Sequence, residues 1–149
     1  MDASNTWYFA YGSNLNMGQI MTRVGEWTAC KRAVAKGYKL VFNFCSRRWN
    51  GLTANLVRTN DTNDRVYGAI YHIPEEKLDV LTQYEGEEPT DIPIEADGAQ
   101  IMAKAFVFKP SREPGKPSNA YLQVMLVGLR QHGYSEEVVE KVKKLAESH

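Results

Sequence analysis

Tyr8-Phe9-Ala10-Tyr11-Gly12-Ser13-Asn14-Leu15 is the stretch on which the fold turns. An apolar, aromatic run stops abruptly at Gly-Ser-Asn, and Leu15, Ile20, Met21 and Val24 then follow in a helix-like pattern. A buried strand therefore hands over to a tight turn whose backbone amides can face a ligand. Gly12 permits a backbone conformation and a close approach that a side chain would forbid. Ser13 and Asn14 suit the capping of the following helix. Amides gathered at a helix start make an anion or oxyanion site. The same residues also read as ordinary turn chemistry with no ligand. The spacing is not that of a phosphate-binding P-loop, since one glycine is present and no Gly-Lys-Ser/Thr follows.

The rest of the chain sets the frame for that turn. Its 149 residues fit one domain, 1–149, with enough length for a sizeable core. Hydrophobic residues make up 43% and charged residues 24%, ordinary for a soluble globular protein. Eighteen Lys plus Arg balance eighteen Asp plus Glu, so global charge points to neither nucleic acid nor a membrane surface. Arg47 with Arg48, and Lys31 with Arg32, read as solvated faces. Cys30 and Cys45 are too few for a disulfide framework, and residues 1–5 carry no basic region followed by an apolar core. A reducing, cytoplasmic setting is expected. No apolar run approaches membrane-spanning length.

Strand signals dominate the first two thirds: 6–11, 38–44, 52–57 and 66–73, with the polar stretch 60–64 expected as a hairpin loop between the last two. A short helix is expected over about 16–24. Pro74-Glu75-Glu76 opens a further helix, with Leu78, Leu81 and Tyr84 as its inner stripe and Gly86 as terminator. Residues 90–95 form a short strand and 100–109 a stronger one, including Met102 and Phe106-Val107-Phe108; a proline-rich loop follows over 111–117. Ser118 caps a helix with Tyr121, Val124, Met125 and Leu129 at helical spacing. Ser135 caps another with Val138, Val139, Val142 and Leu145 inward. The order of elements predicts an α+β domain.

Among candidates for chemistry, His72, His132 and His149 are scattered without metal-ligand spacing, so surface or structural roles are expected for all three. Ser13 lacks the Gly-x-Ser-x-Gly context of a nucleophile elbow. Glu85 is different. It ends a helix just before Gly86, where carbonyl oxygens converge and disfavour the carboxylate anion. A raised pKa suits a carboxyl group that must act as base and then as acid near neutrality. Its competing reading is an exposed Glu in an acidic run with Glu87 and Glu88. Tyr121 either turns its hydroxyl to a cleft or packs in the core. Trp7, Trp27 and Trp49 follow no base-stacking pattern.

Four motifs in order resemble the gamma-glutamylcyclotransferase superfamily: residues 8–15, Val66-Tyr67-Gly68-Ala69-Ile70-Tyr71, Leu78 through Tyr84-Glu85-Gly86, and Pro117-Ser118-x-x-Tyr121 with Gly128-Leu129 and Gly133-Tyr134. The resemblance spans essentially the whole chain. It implies a small closed mixed β-barrel with packed helices. It also implies that Tyr11, Gly12, Ser13, Asn14 and Leu15 cradle a γ-glutamyl group, that Tyr121 joins them, and that Glu85 is the general acid/base. The tail around Tyr121 looks closer to enzymes acting on γ-glutamyl amino acids than to the γ-glutamylamine branch. One departure stands out: the family's tyrosine several residues after Glu-Gly is missing here, which implies an altered pocket wall. The implied reaction is attack of the substrate's α-amine on its γ-carbonyl, giving 5-oxoproline and a free amine, with no metal or redox cofactor required. The expected partner is a small γ-glutamyl substrate; a homodimer is left open. Two other readings remain at this point: the same chemistry on a larger biosynthetic γ-glutamyl amide, and a non-catalytic binding module with the same fold.

Overall fold

The computed structural model describes residues 4–148. Its elements run β1 (Asn5–Ala10), a short 3-10 turn (Ser13–Leu15), α1 (Met17–Val24), β2 (Ala29–Lys36), β3 (Tyr38–Ser46), β4 (Gly51–Arg58), β5 (Arg65–Pro74), α2 (Glu75–Glu85), β6 (Thr90–Ala96), β7 (Ala99–Ala105), α3 (Asn119–Gln131) and α4 (Glu136–Glu147). Residues 1–3, on which the reading of the N-terminus partly rests, and His149 lie outside the described residues.

Five strands close into a barrel in the order β1-β5-β2-β6-β7, and β3 with β4 forms a separate two-stranded sheet. Neighbouring barrel strands are antiparallel except at the closure, where Tyr8 of β1 pairs in parallel with Lys104 of β7. The expected closed mixed barrel with packed helices is thus the observed fold. A five-stranded barrel has a narrow interior, and small inward residues fit it. Ala33 and Ala35 of β2, Ala69 of β5, Ala96 of β6, and Ala103 and Ala105 of β7 are all buried. Gly68 is the extreme case. A Cβ there would strike the Ala10 carbonyl and come within 2.7 Å of the Phe9 ring.

Several expectations change. β2 escapes periodicity arguments because Lys31 and Arg32 interrupt it, yet it pairs with β5 along its whole length, Ala29↔His72 to Lys36↔Arg65. That pairing also removes the hairpin expected across residues 60–64. β5 has β1 on one edge and β2 on the other, so β4 pairs with β3 instead, and the polar loop carries the chain from the small sheet back to the barrel. β7 stops at Ala105, because a side chain takes over the backbone pairing further on. Asn55 of β4 accepts from the Phe108 amide (2.9 Å) through Oδ1 and donates to the Phe108 carbonyl (2.7 Å) through Nδ2. This ties the segment after β7 to the two-stranded sheet and keeps Phe106 and Phe108 buried.

Met102 points outward, 57% exposed, and Leu145 is exposed while Ala146 takes its place in the core. Val124 and Val138 are only partly buried. Tyr84 lies outside the inner stripe of α2, which buries Leu78 and Leu81. Among the described residues, no helix is long and apolar enough to cross a membrane.

Candidate active site

The turn after β1 is built differently from a capped helix start. Ser13 and Asn14 do not cap α1. Asn16 does, its side chain accepting from the Gln19 amide at 3.1 Å. Ser13 and Asn14 are buried in the 3-10 turn, and no backbone carbonyl among the described residues accepts from the amides of Gly12, Ser13 or Asn14. The Ser13 amide instead lies toward the Tyr121 hydroxyl.

Gly12 has φ −115°, so its need is for space rather than for a left-handed backbone. A Cβ at that position would collide with the Tyr121 hydroxyl. Gly128 does the same service from α3: a Cβ there would fall 2.5 Å from the Leu15 carbonyl carbon and the Asn16 nitrogen. The helix therefore lies directly on the turn. Leu15 sits behind the cavity, wholly buried. Its carbonyl accepts from the Tyr71 hydroxyl (3.2 Å) and lies 3.0 Å from His132 Nε2. This gives His132 the structural place expected of it.

The side chains of the turn converge on Glu85. Asn14 Nδ2 donates to the Tyr8 hydroxyl (2.9 Å) and to Glu85 Oε1 (3.1 Å). Its Oδ1 accepts from Gln19 Nε2 and Arg23 Nη1, both at 3.0 Å. Arg23 Nη1 also lies 3.5 Å from Glu85 Oε1; the two side chains are 8% and 23% exposed, the most enclosed ion pair among the described residues. Glu85 is the last residue of α2, and Gly86 ends the helix at φ 73°, its amide donating to the Thr82 carbonyl. Glycine is the residue that adopts that conformation without strain.

One cavity brings these groups together. It is lined by Tyr11, Gly12, Ser13 and Asn14 on the turn side, by Glu85 and Arg23 on the helix side, and by Tyr121. Tyr121 is buried, accepts from the Ala54 amide (3.1 Å), and so links α3 to β4. The Tyr11 hydroxyl donates to the Phe106 carbonyl. The structure therefore gathers every expected site residue around this space except Leu15.

Burial pushes the Glu85 carboxyl above its ordinary value, while Arg23, Asn14 and Arg48 pull it back. The net direction is upward, toward the range in which a carboxyl can both take and return a proton near neutrality. Burial likewise pushes the hydroxyls of Tyr8, Tyr11 and Tyr121 well up, so all three stay protonated near neutrality. The sign of the Arg23 contribution gives a prediction. In Arg23→Gln the cation that favours the carboxylate is gone, so the acid limb of the kcat/KM profile moves to higher pH. A pH–rate profile that leaves the limb in place, or shifts it down, contradicts this role.

Arg23, Arg48, Tyr8 and Trp49 were not legible as site residues. Arg23 looks like a routine basic residue in the last turn of α1. Arg48, expected on a solvated face, lines the cavity from the turn between β3 and β4, beside Trp49. Nothing in the local sequence separates Arg23 and Arg48 from surface residues, and Tyr8 reads only as part of a buried strand; the tertiary fold brings them to the cavity.

The closed mixed barrel, the half-buried Glu85 carboxyl and the turn after β1 thus meet at one cavity. The chain belongs to the AIG2-like family, which matches residues 65–142, within the gamma-glutamylcyclotransferase superfamily. It is similar to the gamma-glutamylcyclotransferase of Mus musculus, 28% identical over 148 residues, covering 93% of this chain and 77% of that one. The gamma-glutamylcyclotransferase of Homo sapiens is 26% identical over 154 residues, covering 97% and 80%. A solved structure described as a gamma-glutamyl cyclotransferase superposes with a TM-score of 0.85 at 24% identity, covering 94% of this chain and 87% of that one.

Proposed function

We propose that this protein cyclises the γ-glutamyl group of a γ-glutamyl amino acid to 5-oxoproline and releases the amino acid. The observation that carries the reading is the placement of the Glu85 carboxyl, held by Asn14 and Arg23, on the same cavity as the Gly12–Asn14 amides. The named activity of its relatives supports it.

The chemistry follows from the groups present. A substrate α-amine, with a reference pKa of about 7.7–8.0, arrives largely protonated at neutral pH. Glu85 takes one proton, and the freed nitrogen attacks the γ-carbonyl carbon to close a five-membered ring. The Gly12 and Asn14 amides, which no backbone carbonyl among the described residues takes up, offer hydrogen bonds to the developing oxyanion or to the substrate's α-carboxylate. The bond from the γ-carbon to the leaving nitrogen then breaks as Glu85 returns its proton to that nitrogen; the ring nitrogen gives up its second proton to become the neutral lactam, and the released amine takes that proton and departs as an ammonium ion. Enclosure of the flexible glutamyl chain supplies proximity. Tyr121 and Tyr11, protonated and buried, shape the wall around it.

Incubation with L-γ-glutamyl-L-alanine and chromatographic detection of 5-oxoproline and alanine in equal amounts is the direct test. Binding of the dipeptide without product would mark a binding module and overturn the reading.

A further inference from the structure

Two guanidiniums reach the region of Glu85, and they differ in kind. Arg23 is enclosed and committed: it donates to Asn14 Oδ1 and lies beside Glu85. Arg48 is exposed, sits in the tight turn joining β3 to β4, and lines the same cavity. Among the described residues no carboxylate lies within ion-pair distance of it. Its guanidinium is instead held over the Tyr84 ring, 4.8 Å from the centroid, and the Arg23 guanidinium lies 4.6 Å from the same ring. A cation over an aromatic face is held there without using its N–H donors, which stay available for a carboxylate.

The substrate's geometry says which carboxylate that is. In the ring-closing conformation the α-amine must approach the γ-carbon, so the glutamyl carboxylate, one carbon from that amine, is drawn into the enclosed end beside the turn and Glu85. The leaving amine must then extend away from the turn and Glu85, and Arg48 is the exposed guanidinium among the residues that line the cavity. We propose that Arg48 is a specificity-determining residue that binds the free carboxylate of the leaving amino acid. This rests on the cyclisation reading above. What Arg48 adds to that reading is discrimination between a free carboxylate and a neutral group of the same size on the leaving part of the substrate.

The test compares L-γ-glutamyl-L-alanine with L-γ-glutamyl-L-alaninamide, which replaces the leaving group's carboxylate by a neutral isostere, in the wild type, Arg48→Gln and Arg48→Lys. The wild type is expected to show a KM about 5- to 10-fold lower for the acid than for the amide, with similar kcat. Arg48→Gln removes that preference by raising KM for the acid several-fold more than for the amide, and Arg48→Lys keeps part of it. Added salt weakens the preference in the wild type and not in Arg48→Gln. Equal KM for both substrates in the wild type overturns the proposal while leaving cyclisation intact. So does an Arg48→Gln variant that depresses both substrates equally, since Arg48 would then act on the glutamyl part or on Glu85. Absence of 5-oxoproline from either substrate overturns the cyclisation reading itself.

Discussion

Glu85→Gln is expected to lower kcat for 5-oxoproline formation by about 10²–10⁴-fold, the usual range for loss of a general acid–base group. The substitution suits the question because it preserves the surroundings. A Gln oxygen can still accept from Asn14 Nδ2, which now donates to Glu85 Oε1 at 3.1 Å, and can still face Arg23. What disappears is the capacity to take a proton from the substrate amine and return it to the leaving nitrogen. Binding should therefore survive, and calorimetric titration with L-γ-glutamyl-L-alanine should give an affinity close to that of the wild type. A variant turning over within about tenfold of the wild type would remove Glu85 from the mechanism.

Stability provides an independent reading of the same group. Burial raises the native pKa of Glu85 above that of the unfolded chain, so the folded state binds the extra proton between the two values. Stability contributed by this group is full below the unfolded value and falls as pH rises through the interval. Gln has no such slope. The Tm difference, variant minus wild type, is expected to increase as pH is raised from about 4 toward neutrality.

Gly12→Ala carries the second large effect, and its cause can be isolated. The new methyl would occupy the space of the Tyr121 hydroxyl, which accepts from the Ala54 amide. Either the ring moves and strands that amide, or the turn moves and carries Asn14 away from Glu85. Overpacking of this type costs about 1–3 kcal/mol, and displacement of the turn should lower kcat/KM by about 10²-fold. Tyr121→Phe alone leaves the Ala54 amide unpaired, at a cost of about 1–3 kcal/mol. In the double variant the obstructing oxygen is absent, and the neighbours left around the new methyl, the Ala54 Cβ at 3.4 Å and the former hydroxyl-bearing carbon at 3.6 Å, are at ordinary contact distance. The stability losses should therefore be markedly less than additive in denaturant unfolding. Full additivity would mean that Gly12 serves some purpose other than clearance for Tyr121.

The motifs carry most of the fold and name most of the residues expected at the candidate site, which line one cavity, for physical reasons that differ from place to place. β1, the turn and the end of α2 are local events: an aromatic run meeting Gly-Ser-Asn, and a Leu-bearing helix stopped at Gly86. Those were legible. β2 was not, because its inward face is Ala33 and Ala35, too small to mark a strand against Lys31 and Arg32. The partner of β4 was not legible either, since chain proximity to β5 gave no hint that both edges of β5 were taken. Gly12 was rightly marked for close approach, but the neighbour is a tyrosine from a helix more than a hundred residues away. Arg23 and Arg48 acquire meaning only once α1 and the β3–β4 turn are folded around Glu85. Long-range charge placement leaves no periodicity to read.

The proposed active site is assembled from pieces that share no local segment. Asn14 belongs to the turn, Glu85 to α2 and Tyr121 to α3, and Tyr121 is bonded in turn to Ala54 of the small sheet. No subset of these elements retains a working constellation. Detachment of the two-stranded sheet releases Tyr121; loosening of α3 frees the turn that Gly128 presses upon; fraying of α2 withdraws the carboxyl. On the proposed mechanism, turnover is expected to report on every layer of the molecule at once, so that a partly opened chain is silent whichever piece departs first.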